Sequence, residues 1–205
     1  MLDRAVGLLA IADEHDLKIW SAVGTCLIGA AQVGIGRFEE GLANIRRGME
    51  LYHGLRSPPI FWPILLSIDA GASLLAGRAA DGLGPIDTAI EMMSPGRGAI
   101  LLPEFHLLKG DLLTAHATDK ARDAPQPEHW HQLAYDRAGE LNARMSQLRA
   151  ATRLCRAWQA NGNSEAAARA LAPVYATFTE GFATADLIEA RDLLATAAQV
   201  QSSPI

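Results

Sequence analysis

Aromatic side chains are scarce in this chain, at 6% of 205 residues, and no β-branched run alternates with polar residues. Both shortages argue against a sandwich or barrel, whose strands draw on those residue types. Only two cysteines occur, Cys26 and Cys155, far apart and in no CxxC or metal-binding spacing. They read as two reduced, buried thiols, with no disulfide or metal framework. No GxxxxGK[ST] segment exists, so the phosphate cradle of P-loop enzymes is missing. Long hydrophobic runs are missing as well: the most lipid-like stretch, 61–77, is short for a bilayer span and carries Asp69 near its middle. Acidic residues come too early, and the first apolar run is too short, for a signal peptide. Positive charge is also in deficit. Lys and Arg number 18 against 23 Asp and Glu, a formal net charge of -5, so no overall field draws nucleic acid or an anionic membrane. The expectation is a cytoplasmic protein that touches neither.

What is abundant is Leu and Ala, in helical periodicity. Leu2, Val6 and Leu9 form one apolar stripe, and Ala5, Leu8 and Ala12 form a second beside it. Two stripes predict a helix sandwiched between neighbours, and an uncovered face here predicts self-association. Apolar helices are then expected over 19–33, 63–75 and 101–115, each followed by a break and a partner helix. The breaks are Gly34-Ile35-Gly36, Ser57-Pro58-Pro59, Ala76-Gly77-Arg78, Ser94-Pro95-Gly96-Arg97-Gly98 and the polar stretch 118–127. Helices over 128–141 and 146–160 follow, then Asn161-Gly162-Asn163. Ser164 is the expected N-cap of a helix reaching Thr177, and Thr184 that of a last helix with Asp186 in its first turn.

Overlaying these pieces exposes a repeat. "GIGRFEEGLANI", "LAGRAADGLGPI" and "ANGNSEAAARAL" each set a turn glycine five residues before a small residue that opens a helix. The pairs are Gly36 and Gly41, Gly77 and Gly82, and Gly162 and Ala167. The turn glycines lie 41 residues apart from Gly36 to Gly77, and 85 apart from Gly77 to Gly162, close to two further units. A period in this range predicts an all-α array of antiparallel hairpins, each burying its apolar face only against its neighbours. The expected hairpins span 17–54, 60–94, 100–141 and 145–178, with a half hairpin at 2–14 and a capping helix at 184–198. These make about ten helices in a single domain of 1–205.

The pattern resembles the tetratricopeptide family, in which a small residue sits mid-helix, a Gly closes the hairpin and a small residue opens the second helix. Gly29, Gly36 and Gly41 fit one repeat; Ala70, Gly77 and Gly82 the next; Cys155, Gly162 and Ala167 the last; and Gly110 matches the mid-helix position of the third. The resemblance implies a right-handed superhelix. Thr25 and Gln32 stand where the family carries bulky aromatics, the third repeat lacks its turn glycine, and units near forty residues exceed the family's usual length. HEAT-like helix pairs are therefore the alternative label. The segment 173–194, "PVYATFTEGFATADLIEARDLL", resembles the C-terminal repeats of bacterial regulators that carry nucleotidyl-cyclase or DNA-binding and STAND-type ATPase domains upstream. That implies a regulatory or sensory role and a piece of a longer protein; the cyclase and ATPase motifs themselves are absent here.

Local motifs for chemistry are few. Gly34-Ile35-Gly36-Arg37-Phe38-Glu39-Glu40-Gly41 lacks the last glycine spacing of a dinucleotide loop, follows no strand and would face phosphates with two carboxylates; it reads as a hairpin turn. His129 and His131 flank Trp130 at a spacing that points them to different helix faces, a poor metal pair and a better surface helix. His106 reads as a hydrogen-bonded core or groove histidine. No cofactor, metal or catalytic set is expected, and the chain reads as a non-enzyme. One constellation follows from the repeat register: Glu104 and Asp111 in the third repeat occupy the positions of Arg149 and Arg156 in the fourth, with Thr152 and Arg153 between. These six could form a charged groove floor that grips a protein, a peptide or a small ligand through arginine. They could also form an inter-repeat ladder, Glu104 to Arg149 and Asp111 to Arg156, that only sets register. The expected partner is a protein or peptide, including missing N-terminal domains or a second copy docked through the first helix; the alternative is a small effector in the groove.

Overall fold

The computed structural model describes residues 1–56, 59–93, 99–116 and 127–202. The breaks read at 57–58 and 94–98, the polar stretch 118–126 and the side chains of Ser164 and Ala167 lie outside them. Among the described residues the chain is all-helical, with no strand: α1 Leu2–Glu14, α2 Lys18–Gly34, α3 Phe38–Gly54, α4 Trp62–Leu75, α5 Ala79–Met92, α6 Leu102–His116, α7 Pro127–Glu140, α8 Arg144–Ala160, α9 Ser164–Tyr175 and α10 Ala185–Ser202. The expected spans 17–54, 60–94, 100–141 and 145–178 take in α2 and α3, α4 and α5, α6 and α7, and α8 and α9, and of these pairs α2–α3, α4–α5 and α8–α9 pack closely. Helix α9 ends two residues before Thr177, and its N-cap is Asn163, whose side chain accepts a 3.3 Å bond from the Ala166 N–H. Ser164 is thus the first helical residue. Thr184 spends its hydroxyl on the Gly181 carbonyl at 2.8 Å, a turn bond and not a cap.

Among the described residues one turn geometry occurs five times. Its middle residue is left-handed: Asp16, Gly36, Gly77, Asn142 and Gly162, with φ of 54°, 84°, 73°, 53° and 76°. The next residue's N–H reaches back five residues to close the preceding helix: Leu17 to Ala12, Arg37 to Gln32, Arg78 to Ser73, Ala143 to Ala138 and Asn163 to Trp158, all at 2.7–2.9 Å. This is a Schellman closure, which needs a residue that tolerates positive φ. In the described turns within hairpins that residue is glycine. Between hairpins Asp16 and Asn142 do the same work, because short polar side chains reach this region at little cost.

The chain divides into two compact units where one domain was expected: Met1–Arg97 with Asp111–Ala121, and Gly98–Gly110 with Arg122–Ile205. In the first unit α2 is buried on two sides, against α1 and α4 as well as α3. Gly29 and Gly41 face each other so closely that a Cβ on Gly29 would lie 2.5 Å from the Gly41 carbonyl oxygen. A Cβ on Gly48 would meet Cys26 Sγ at 2.5 Å and the Ala22 oxygen at 2.7 Å. Leu42, Ile45 and Val33 fill the space beside this contact. In α1 Ala5 and Ala12 are buried, while Val6 and Ile11 are 50% and 56% exposed, so one of its stripes packs and part of the other faces outward.

In the second unit Leu148, Ala151 and Cys155 of α8 pack with Leu171 and Val174 of α9 and Leu187 and Ala190 of α10. A smaller cluster joins Leu107, Ala134 and Ala150 of α6, α7 and α8. Alanines at these contacts let the helices approach without glycine.

Candidate functional site

The α8 sequence places Arg149, Arg153 and Arg156 four and three residues apart, on one helical stripe opposite the buried Leu148, Ala151 and Cys155. The arginines therefore point away from the core, toward the flanking helices. Arg149 sits between two acids. Its Nε and Nη2 donate to the two carboxylate oxygens of Asp186 at 3.2 and 3.1 Å, a bidentate fork, while Nη1 reaches Glu104 Oε1 at 3.3 Å. Ser146 donates to the same Glu104 oxygen at 2.7 Å. The Asp186 hydrogen bond above all, with Glu104 behind it, pushes the Arg149 pKa still higher, so the cation is fixed. Farther along, Arg156 Nη2 lies 2.7 Å and Arg153 Nη1 3.8 Å from Glu189 Oε1.

Helix α8 is thus clamped along its polar stripe by α6 and by α10. Arg149, Glu104 and Asp186 are each about a third exposed and Arg156 is 53% exposed. The face is ordered by its own ion pairs and still open to a partner.

The Glu104–Arg149 rung expected from the register is present. Arg156 meets Glu189, which the register did not single out, and Asp111 belongs to the first unit. Thr152 is a correction. It is 3% exposed and its hydroxyl donates to the Leu148 carbonyl at 2.8 Å, so it is a core residue of α8 and no part of a groove floor. Its position between the arginine stripe and the Leu148 face explains the error: one step around the helix takes it under the neighbouring helices. Asp186 and Glu189, three residues apart in α10, fall outside the repeat register, which marks that helix only as a cap. Extending the register by one more helix would have found them.

The histidines of α6 and α7 form a second cluster. Contrary to the surface-helix reading, His131 is buried, seated where Gly110 has no side chain to obstruct its ring. Lys109 Nζ stands 3.9 Å over the Trp130 ring, a cation–π contact, and the His106 ring lies 5.5 Å from it. Burial, then the charges of Arg137, Lys109 and His129, push the His106 pKa down to about 4, so this imidazole is neutral at pH 7. Among the described residues no three His, Cys, Asp or Glu side chains converge as metal ligands, and no helix is long and apolar enough to cross a membrane. Cys26 is buried, and desolvation, with Asp69 nearby, pushes its pKa to about 12.

No protein-family model matches the chain, and no curated protein matches it in sequence.

Proposed function

We propose that this protein is a non-catalytic helical-repeat scaffold whose α8 face, edged by α6 and α10, holds a protein or peptide partner. The proposal extends to a regulatory or sensory role in a bacterial signalling or transcription-regulating ATPase or cyclase system, on the strength of the 173–194 resemblance. The observation that carries the docking reading is the clamped arginine stripe. A guanidinium already forked onto Asp186 and shared with Glu104 has little to offer a small free anion, which would have to break both bonds first. A partner surface can instead use the exposed edges of ion pairs that are already ordered, at little entropic cost. Self-association through α1 is part of the same proposal, supported by exposed Val6 and Ile11.

Two measurements separate this from a small effector bound by the same arginines. Affinity capture is run with the natural chain and with an Arg149→Glu/Arg156→Glu variant, alongside a thermal-shift screen of metabolites and nucleotides. The scaffold reading expects a protein retained by the first and lost by the second. A metabolite that raises Tm in the natural chain, with no shift in the variant, would replace it with the effector reading. Light scattering that shows a monomer over a wide concentration range would remove the α1 contact.

A further inference from the structure

A cavity of about 640 Å³ opens in the first unit where α3 ends and α4 begins, lined by Tyr52, His53, Gly54, Arg56, Pro59 and Trp62. Two features of its lining act together. One wall is aromatic: Tyr52 is buried and stacks on Trp62 with centroids 6.1 Å apart and planes at 24°, and the His53 ring lies 6.0 Å from Trp62. Tyr52 is held in place by its hydroxyl, which accepts from the Phe61 N–H at 3.3 Å. Another wall is cationic. Arg56 stands on a left-handed residue, φ 50°, which turns it out of the path of α3, and its guanidinium makes no ion pair among the described residues. At the start of α4 the Trp62 N–H is bonded to the Pro59 carbonyl at 3.3 Å, the Phe61 N–H to Tyr52, and Pro63 has none, so those donors are spent and the cationic wall is Arg56. Among the described residues no carboxylate lines it, in a chain whose net charge is -5.

From this combination we infer that the cavity binds a planar aromatic ring carrying an anionic arm. The ring lies against Trp62, the part-exposed ring of that wall, which buried Tyr52 backs from behind. The carbonyl end of α3 repels negative charge from the Gly54 side, which sends the arm toward Arg56. Arg56 receives a carboxylate or phosphate through two parallel N–H donors. The volume falls within the range of small-ligand sites. Nothing in this inference depends on the α8 face, which lies in the other unit.

The test is calorimetric titration of the full chain, at low salt, with two anions from different sources: AMP and 2-naphthoate. Adenosine and 2-naphthamide are their neutral counterparts. At least one anion is expected to bind saturably, with its neutral counterpart and the Arg56→Gln variant each weaker by about 10-fold. Trp62→Leu is expected to abolish binding while far-UV circular dichroism stays unchanged; Arg56→Gln, at an exposed turn, serves where the tryptophan variant fails to fold. Binding of AMP alone identifies a nucleotide-like ligand, binding of naphthoate alone an aromatic acid, and binding of both the shared chemistry. The inference is overturned if neither anion binds, if the neutral compounds bind equally well, or if Arg56→Gln leaves the affinity unchanged.

Discussion

The α2–α3 hairpin and the α8 helix solve one problem in two ways. In the first, glycines bring backbone against backbone, with Gly29 over Gly41 and Gly48 over Cys26, and leave no room for a single methyl group. In the second, alanines and leucines make the contact, and the polar edge is tied by a guanidinium fork to Asp186 on one neighbour and a single bond to Glu104 on another. The lesson is where tolerance to change should lie. Close backbone packing is unforgiving because a clash cannot relax, whereas an exposed ion pair gives way to water at small cost.

The largest effect expected from that difference is at Gly48. Gly48→Ala would drive a Cβ against Cys26 Sγ and the Ala22 carbonyl, and denaturant unfolding should register a loss of about 3 kcal/mol or more. A thiol reagent at pH 8 supplies a second readout. Cys26, buried and with a pKa near 12, should resist it in the natural chain and react in the variant.

Acid should come next and should act on the second unit. The folded pKa of His106 is depressed, so between its ordinary value near 6.5 and about 4 the unfolded chain takes a proton that the native one refuses. Stability is intact above that window and falls as pH falls through it, by at most about 3 kcal/mol. His106→Gln should flatten the pH dependence of unfolding; an unchanged slope would mean that the imidazole is not the group responsible.

Smaller still is the α8 clamp. Because Arg149, Glu104 and Asp186 are about a third exposed, Arg149→Ala should cost about 1 kcal/mol. A double-mutant cycle with Asp186→Ala should return a coupling of about 0.5–1 kcal/mol. A loss rivalling that of Gly48→Ala would erase the contrast between the two regions. The smallest effect has the opposite sign. Gly7 in α1 has nothing within 4 Å of its missing Cβ, so Gly7→Ala should stabilise by about 0.5–1 kcal/mol.

The glycine side of this contrast was legible in the sequence, since Gly29, Gly36, Gly41 and their counterparts recur at fixed offsets that only close-packed hairpins require. Asp16 and Asn142 were not, although they adopt the same left-handed turn. Aspartate and asparagine occur in many other settings, so their presence carries no such demand. Half of the clamp was legible. Glu104 and Arg149 share a register position in successive repeats, but Asp186 and Glu189 lie in a helix whose role depends on which face it turns to α8, a tertiary fact. Thr152 shows the limit of counting along a helix: a residue beside a polar stripe is buried or exposed according to its neighbours' placement. The cavity beside Arg56 left no sequence signal, because it arises from a left-handed residue between helices and not from a motif.

The docking role of the α8 face is tested most directly by exchanging one rung, as Arg156→Glu with Glu189→Arg, and measuring both Tm and affinity for the captured partner. With Arg153→Gln added to both chains, so that no second guanidinium meets the new cation at position 189, the swap keeps the 156–189 ion pair while reversing the charges shown to solvent. The account predicts a Tm within about 2 °C of the chain carrying Arg153→Gln alone and a loss of partner affinity of 10-fold or more, by analogy with charge reversal at an interface rim. Partner affinity unchanged at an unchanged Tm would show that the arginines serve only to register the helices, and the proposed docking face would have to be given up.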